Sequence, residues 1–319
     1  MAETQALKRQ DVPIGKKPKS SLSKRMAKTY QLYIFLIPAV LYYIIFKYIP
    51  IYGVQIAFRD YNFIQGFLGS PWVGLMHFKR FFNSPDFWLV LKNTLSISIL
   101  NLVLGFPIPI IFALLLNQMT SKAYKRIIQT VSYAPYFISM VVLVGMLYIL
   151  LSPSYGVVNH VLAAMGQERV FFMAKPELFA AIYVLSGIWQ NTGYSSVIYL
   201  AALTSISPEL HEAAHVDGAN KWQRIWHIDL PGIIPTAVIM LILGAGTILT
   251  VGFEKNYLMQ NALNRPAAEV ISTFVYKRGI TQGEFSYASA IGLFESSINF
   301  IILISVNKIA KRFSESSLF

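Results

Sequence analysis

The chain of 319 residues has no cysteine. That absence excludes thiol catalysis, disulfides and thiolate metal sites together. Charge is also scarce: Asp, Glu, Lys and Arg make up 13% of the residues, against about 25% in an average soluble domain. The five histidines, His77, His160, His211, His215 and His227, give a His-rich metal site little material. His211 and His215 stand four apart and so share a helix face, but a pair facing solvent or a partner is the expectation, and no metal site is assigned. There is no nucleotide-binding P-loop and no nucleophile constellation, so the chain is not expected to catalyse a covalent step.

What is abundant is apolar. Hydrophobic residues are 55% of the chain, with 22 Phe, 18 Tyr and 5 Trp, enough for aromatic belts at both faces of a bilayer. Six apolar runs are about long enough to cross one: Tyr30 to Tyr52, Asn93 to Asn117, Ile127 to Leu151, Leu178 to Thr204, Gly232 to Phe253 and Ser286 to Asn307. The fold class is therefore an all-α polytopic membrane protein with six transmembrane helices over 29–307. A basic tail, 1–28, precedes them and a short tail, 308–319, follows. Pro107 and Pro109 lie inside the second run, where the missing N–H groups predict a kink. The loop between the first two runs, with IAFRDYNF and SPWVGLMHFKRFF, has the turn residues and aromatics of a folded external cap.

The net charge of +12 would suggest nucleic acid in a soluble protein. Here it has a plainer cause, because Lys and Arg are retained on the cytoplasmic side of a membrane protein. They are densest in the N-terminal tail, in the link at Lys122, Lys125 and Arg126, in the loop 205–231 and after Asn307. That distribution puts both termini and the loop 205–231 in the cytoplasm, and no nucleic-acid partner is expected.

The loop 205–231 carries the most information. Ser207-Pro208 is a helix start, since a serine oxygen caps free N–H groups and proline suits the first turn. Asp217-Gly218 breaks the helix at a turn. A second helical stretch follows from Ala219, with Trp222, Ile225 and Trp226 on one stripe, and it ends at Pro231. The prediction is two short helices meeting at a bend.

Glu212-Ala213-Ala214, Asp217-Gly218-Ala219 and then Ile228, Leu230 and Pro231 resemble the EAA loop of membrane subunits of ATP-binding-cassette importers. FKYIPIYGVQIAFRDYNF, WVGL and GFEKNYLM extend the likeness over nearly the whole chain, to the Lpl-type branch of the carbohydrate-uptake permeases. The resemblance implies a type I importer fold whose loop is a coupling helix seated on an ATPase, with Glu212 meeting a basic residue of that partner and Gly218 making the turn. It implies a bacterial inner-membrane assembly of two similar permeases, two cytoplasmic ATP-binding subunits and an external sugar-binding protein. ATP and Mg would sit on the ATPases, and this chain would bind no cofactor.

Polar residues inside apolar runs mark the place to seek a path, because they are costly against lipid. The fourth run holds Trp189, Gln190, Asn191 and Tyr194, residue types that suit sugar hydroxyls and sugar C–H faces. By resemblance to the maltose importer Gln190, Asn191 and Tyr194 fall at ligand-contacting positions, where Tyr194 keeps the residue type and Gln190 and Asn191 do not; helix packing through polar residues is the alternative. Glu254 is a further path residue or an interface marker. Glu295 in the sixth run is a proton relay of a secondary carrier or a packing group. Lys255, Arg265, Lys277 and Arg278 on the outside would tolerate an acidic sugar. The expected cargo is an oligosaccharide or polysaccharide fragment; the rivals are a proton-coupled sugar carrier using Glu295 and an importer of a non-sugar solute.

Overall fold

The computed structural model describes residues 30–313; the basic tail 1–28 and the last residues, 314–319, lie outside them. The chain divides into two units, Met1–Gly53 and Val54–Phe319. In the first, helix α1 (Tyr30–Tyr43) runs on through a π-helical turn, Ile44–Tyr48. Its apolar side chains are exposed, Phe35 by 83%, and the stretch Tyr33–Phe58 is long and apolar enough to cross a membrane.

The second unit opens with the cap the loop composition predicts. Arg59 and Trp72 form an isolated β-bridge, the Phe58 and Trp72 rings stack at 5.5 Å, and the Arg59 guanidinium donates to the Ser70 carbonyl at 2.7 Å. Helix α2 (Met76–Phe82) follows. Then come α3 (Pro85–Leu100), a π turn at Asn101–Gly105 and α4 (Pro107–Asn117), which together form one span. The prolines do not break it. Pro107 has no N–H and its ring crowds the preceding turn, and the wider π turn absorbs both effects just before it.

The third apolar run is not one straight crossing. Helix α5 (Lys122–Tyr133), with its 3-10 extension Ala134–Phe137, meets α6 (Met140–Leu150) at a bend of 100°. Pro135 sits in that extension, Ile138 turns extended, and Ser139 starts the new helix by accepting from the Val142 N–H. After α7 (Val157–Ala164) comes α8 (Pro176–Thr204), a helix of 29 residues. Helices α9 (Pro208–Val216) and α10 (Lys221–Arg224), a π turn at Ile225–Asp229 and α11 (Leu230–Ala245) follow. The unit closes with α12 (Phe253–Met259), α13 (Ile271–Tyr276) and α14 (Phe285–Phe313).

Among the described residues four helices are long and apolar enough to cross a membrane, or five with the bent pair as one span. Helix α8 is not among them; its middle carries Gln190, Asn191, Thr192, Ser195 and Ser196.

Packing centres on α8. Phe179 and Val184 near its start belong to one buried cluster with Ile97, Val144 and Met259. Tyr199, Leu200 and Leu203 near its end belong to another with Ala113, Leu116 and Ile233. Gly193, between them, lets α8 approach α5 so closely that a Cβ would overlap the Ser132 carbonyl. The polar middle of α8 thus lies between two apolar contacts, where a cavity can open.

Candidate functional site

A cavity of about 580 Å³ lies against that polar middle, within the size range of ligand pockets. Four segments wall it: the end of α3 and the π turn Asn101–Gly105 with the start of α4, Met140 at the start of α6, the Tyr183 to Ser195 part of α8, and the chain from Gly244 to Lys255. That last stretch leaves the helix after Ala245, so its backbone needs partners the helix no longer gives. Helix α14 supplies them. Asn299 Oδ1 accepts from the Leu249 N–H at 3.0 Å and its Nδ2 donates to Thr250 Oγ1 at 3.0 Å. Thr250 Oγ1 donates to Glu295 at 3.1 Å. Glu295 thus contacts the cavity wall through Thr250.

The structure brings Gln190, Asn191 and Glu254 together on this cavity. Gln190 is 4% exposed, and its Nε2 donates at 2.9 Å to the Ile138 carbonyl, at the break between α5 and α6. Asn191 donates back to the Gly187 carbonyl at 2.8 Å and stays exposed, as does Glu254. Trp189 and Tyr194 lie outside the lining and are about half exposed. The Tyr194 ring stacks on Tyr136 at 3.9 Å, so two residues one helical turn apart divide their work: Gln190 ties the break to α8 and Tyr194 covers it.

Lys255 has the least usual setting. It is 4% exposed, and its Nζ donates to the Tyr183 carbonyl at 2.7 Å while lying 4.6 Å from the centre of the Tyr183 ring. Burial pushes its pKa down to about 8, because a charged form loses hydration there.

The loop 205–231 forms the predicted pair of helices. Ser207 caps α9 by accepting from the Glu209 N–H at 3.3 Å. The helix ends in a turn where Ala219 donates to the Ala214 carbonyl at 2.8 Å and Gly218 takes φ +79°, a left-handed conformation that favours glycine. Asn220 then caps α10 in a reciprocal capping box with Gln223. Glu212, Ala213, Asp217 and Gly218 are exposed; Ala214 and Ala219 are half-buried. Of the expected apolar stripe only Ile225 is buried, while Trp222 and Trp226 are 73% and 68% exposed. Helix also runs on past Pro231, which sits in the first turn of α11 after the π turn Ile225–Asp229.

One residue of this loop was not singled out by the sequence pattern. Asp229 is fully buried. Its carboxylate accepts from Gln118 Nε2 at 2.8 Å and from Asn117 Nδ2 at 3.5 Å, and lies 3.4 Å from His211 Nε2. It joins the end of α4, the helix α9 and the start of α11. An acid one residue before a Leu-Pro pair at the foot of an apolar helix was the available signal.

Residues 105–315 match the family model described as the binding-protein-dependent transport system inner membrane component. The polygalacturonan/rhamnogalacturonan transport system permease of Bacillus subtilis (strain 168) is 42% identical over 318 residues, covering 100% of this chain and 99% of that one. The protein LplB of the same organism is 44% identical over 288 residues, 90% and 91% of the two chains. A chain in the crystal structure of a bacterial ABC transporter that imports the acidic polysaccharide alginate superposes with TM-score 0.85 at 40% identity, covering 92% of this chain and 100% of that one. A second crystal structure, of the alginate transporter with its pentasaccharide-bound periplasmic protein, gives TM-score 0.86 at 39% identity over 94% and 100%. With two thirds of its length inside the family model and relatives alike from end to end, the chain belongs to the binding-protein-dependent transport system inner membrane components, a family of transporter permease subunits.

Proposed function

We propose that this chain is one permease subunit of an ATP-driven importer of oligosaccharides, working with a second permease, two ATPase subunits and an external sugar-binding protein. The observation that carries the reading is the mechanical link between the exposed loop and the cavity. Helix α9 reaches Asp229 through His211, and Asp229 is held by Gln118 at the end of α4. The other end of α4 contributes Phe106 and Pro109 to the cavity wall. A displacement of α9 by a closing ATPase pair would pull on the helix that lines the path.

Six crossings are part of this reading: the four apolar helices, the bent pair, and α8 with its polar middle turned to the cavity rather than to lipid. The basic residues then place both termini and α9 in the cytoplasm, where ATP is. Glu212, with Ala213, Ala214, Asp217, Gly218 and Ala219 behind it, forms the surface offered to the ATPase. Gln190, Asn191 and Glu254 line the sugar path; Trp189 and Tyr194 support it. The nucleotide and its Mg stay on the ATPase subunits. That relatives at about 40% identity belong to transporters of sugar polymers supports an oligosaccharide here.

Uptake of labelled oligosaccharides into proteoliposomes holding the whole assembly tests the reading. Uptake that requires internal ATP and external binding protein is the expected result. Uptake that follows a proton gradient without ATP would contradict it.

A further inference from the structure

Of the four bases Lys255, Arg265, Lys277 and Arg278, which the proposed orientation places outside, three are spent on the protein itself. Arg265 and Lys277 both reach Glu269, at 3.0 and 2.8 Å, and Glu269 is 2% exposed. Arg278 pairs with Asp86 at 3.2 Å and faces Glu284 at 3.6 Å. Lys255 is different: among the described residues it makes no ion pair. Its one recorded hydrogen bond, to the Tyr183 carbonyl, leaves two of the three ammonium donors.

An ammonium that is 4% exposed and lacks an anion is expensive to keep, since the charge loses hydration and recovers no Coulomb energy. Its position explains what the cost is for. Lys255, Tyr183 and Gly187 all line the cavity, and the missing side chain at Gly187 leaves room for Nζ, which would stand 3.2 Å from a Cβ there. The charge is held at the wall of the path by a carbonyl and an aromatic face, with no carboxylate in ion-pair contact among the described residues.

We propose that Lys255 reads a carboxylate on the cargo, so that the substrates of this cavity are uronate-containing oligosaccharides. The rest of the lining favours that class over a denser anion. Asn101, Gln190 and Asn191 are neutral amides suited to hydroxyls, and Glu254 shares the cavity with the ammonium. The Glu254 carboxylate disfavours a phosphate monoester, with its charge of about −1.5 to −2, more than a single carboxylate, and it can accept hydrogen bonds from neighbouring hydroxyls. The inference rests on the cavity being the sugar path.

The test is uptake of labelled trigalacturonate by the complete importer in proteoliposomes, beside neutral maltotriose and arabinotriose, for wild type, Lys255→Gln and Lys255→Arg. Glutamine keeps a donor for the Tyr183 carbonyl and removes the charge; arginine keeps the charge. The expected result is trigalacturonate uptake by wild type, a fall of about tenfold or more in Lys255→Gln, as a charge-assisted bond implies, and near-wild-type uptake in Lys255→Arg. Any neutral sugar carried by wild type should be carried equally by Lys255→Gln. Undiminished trigalacturonate uptake in Lys255→Gln would overturn the proposal. So would equal losses for acidic and neutral sugars, or equal losses in both variants, since these mark a staple between α8 and α12. Wild-type uptake of neutral sugars alone would overturn it and leave the importer reading standing. Absence of ATP-dependent uptake of every sugar would instead remove the importer reading.

Discussion

At the scale of single residues, burial sets the behaviour of Lys255 and Asp229. The Lys255 pKa of about 8 in the folded protein lies below the ordinary lysine value of about 10.4. Between those two values the unfolded chain binds the extra proton, so stability rises with pH across the window from about 8 to about 10. Replacing Lys255 by Met should flatten that part of the melting-temperature profile; a slope kept in the variant would contradict the assignment. Ammonium character is lost over the same range, so trigalacturonate uptake by wild type should decline above pH about 8 and stay level in Lys255→Arg. Tyr183 and Glu254 are the titratable neighbours on the two elements that meet there. For Asp229 the prediction is one of shape kept and charge removed. Asp229→Asn turns one of the two oxygens that accept from Gln118 and Asn117 into an amide donor, leaving buried groups unpaired at about 1–3 kcal/mol. A lower melting temperature should accompany more ATP hydrolysed per sugar carried, whereas a stability loss with normal stoichiometry would reduce Asp229 to a packing role.

At the scale of elements, the break between α5 and α6 and the middle of α8 depend on each other. Gln190→Leu removes the donor to the Ile138 carbonyl, and a buried carbonyl without a partner costs about 1–3 kcal/mol. Gly193→Ala drives a methyl group into the Ser132 carbonyl, an overpacking cost of about 1–3 kcal/mol or more. Both variants should aggregate at lower temperature than wild type in a heating series followed by size-exclusion chromatography. Unchanged profiles would show that the two helices can slide apart freely.

This is also where legibility in the sequence divides. The turn at Asp217-Gly218 and the cap at Ser207 are local properties, written in neighbouring residues, and they appear where expected, while four of the six apolar runs fall on helices long and apolar enough to cross a membrane. The 100° bend of the third run was not read from the sequence, because the run is long enough for one crossing and Pro135 and Ser139 act through backbone geometry. Gln190 and Tyr194 have helical spacing, but Tyr136 decides that one ring covers the break instead of lining the cavity. Lys255 could not be told from Arg265, Lys277 and Arg278 by sequence, because only the fold shows that Glu269, Asp86 and Glu284 occupy the other three.

At the scale of the whole molecule, the account makes the chain a lever between two sites that never touch. One end is an exposed two-helix loop whose bend needs glycine at 218; the other is a polar cavity held open between two apolar clusters. The helix α4 and the buried carboxylate of Asp229 join them. Under the proposed function this link would transmit force only when an ATPase subunit grips α9 from outside, and Glu212 is the residue proposed to be gripped. The most direct measurement is ATPase activity of the complete assembly in lipid nanodiscs, with and without oligosaccharide-loaded binding protein, for wild type and Glu212→Ala. The account predicts stimulation by the loaded binding protein in wild type and loss of most of it in a Glu212→Ala complex that still inserts in the membrane. Stimulation of equal size in both would contradict the claim that this loop couples ATP hydrolysis to the cavity.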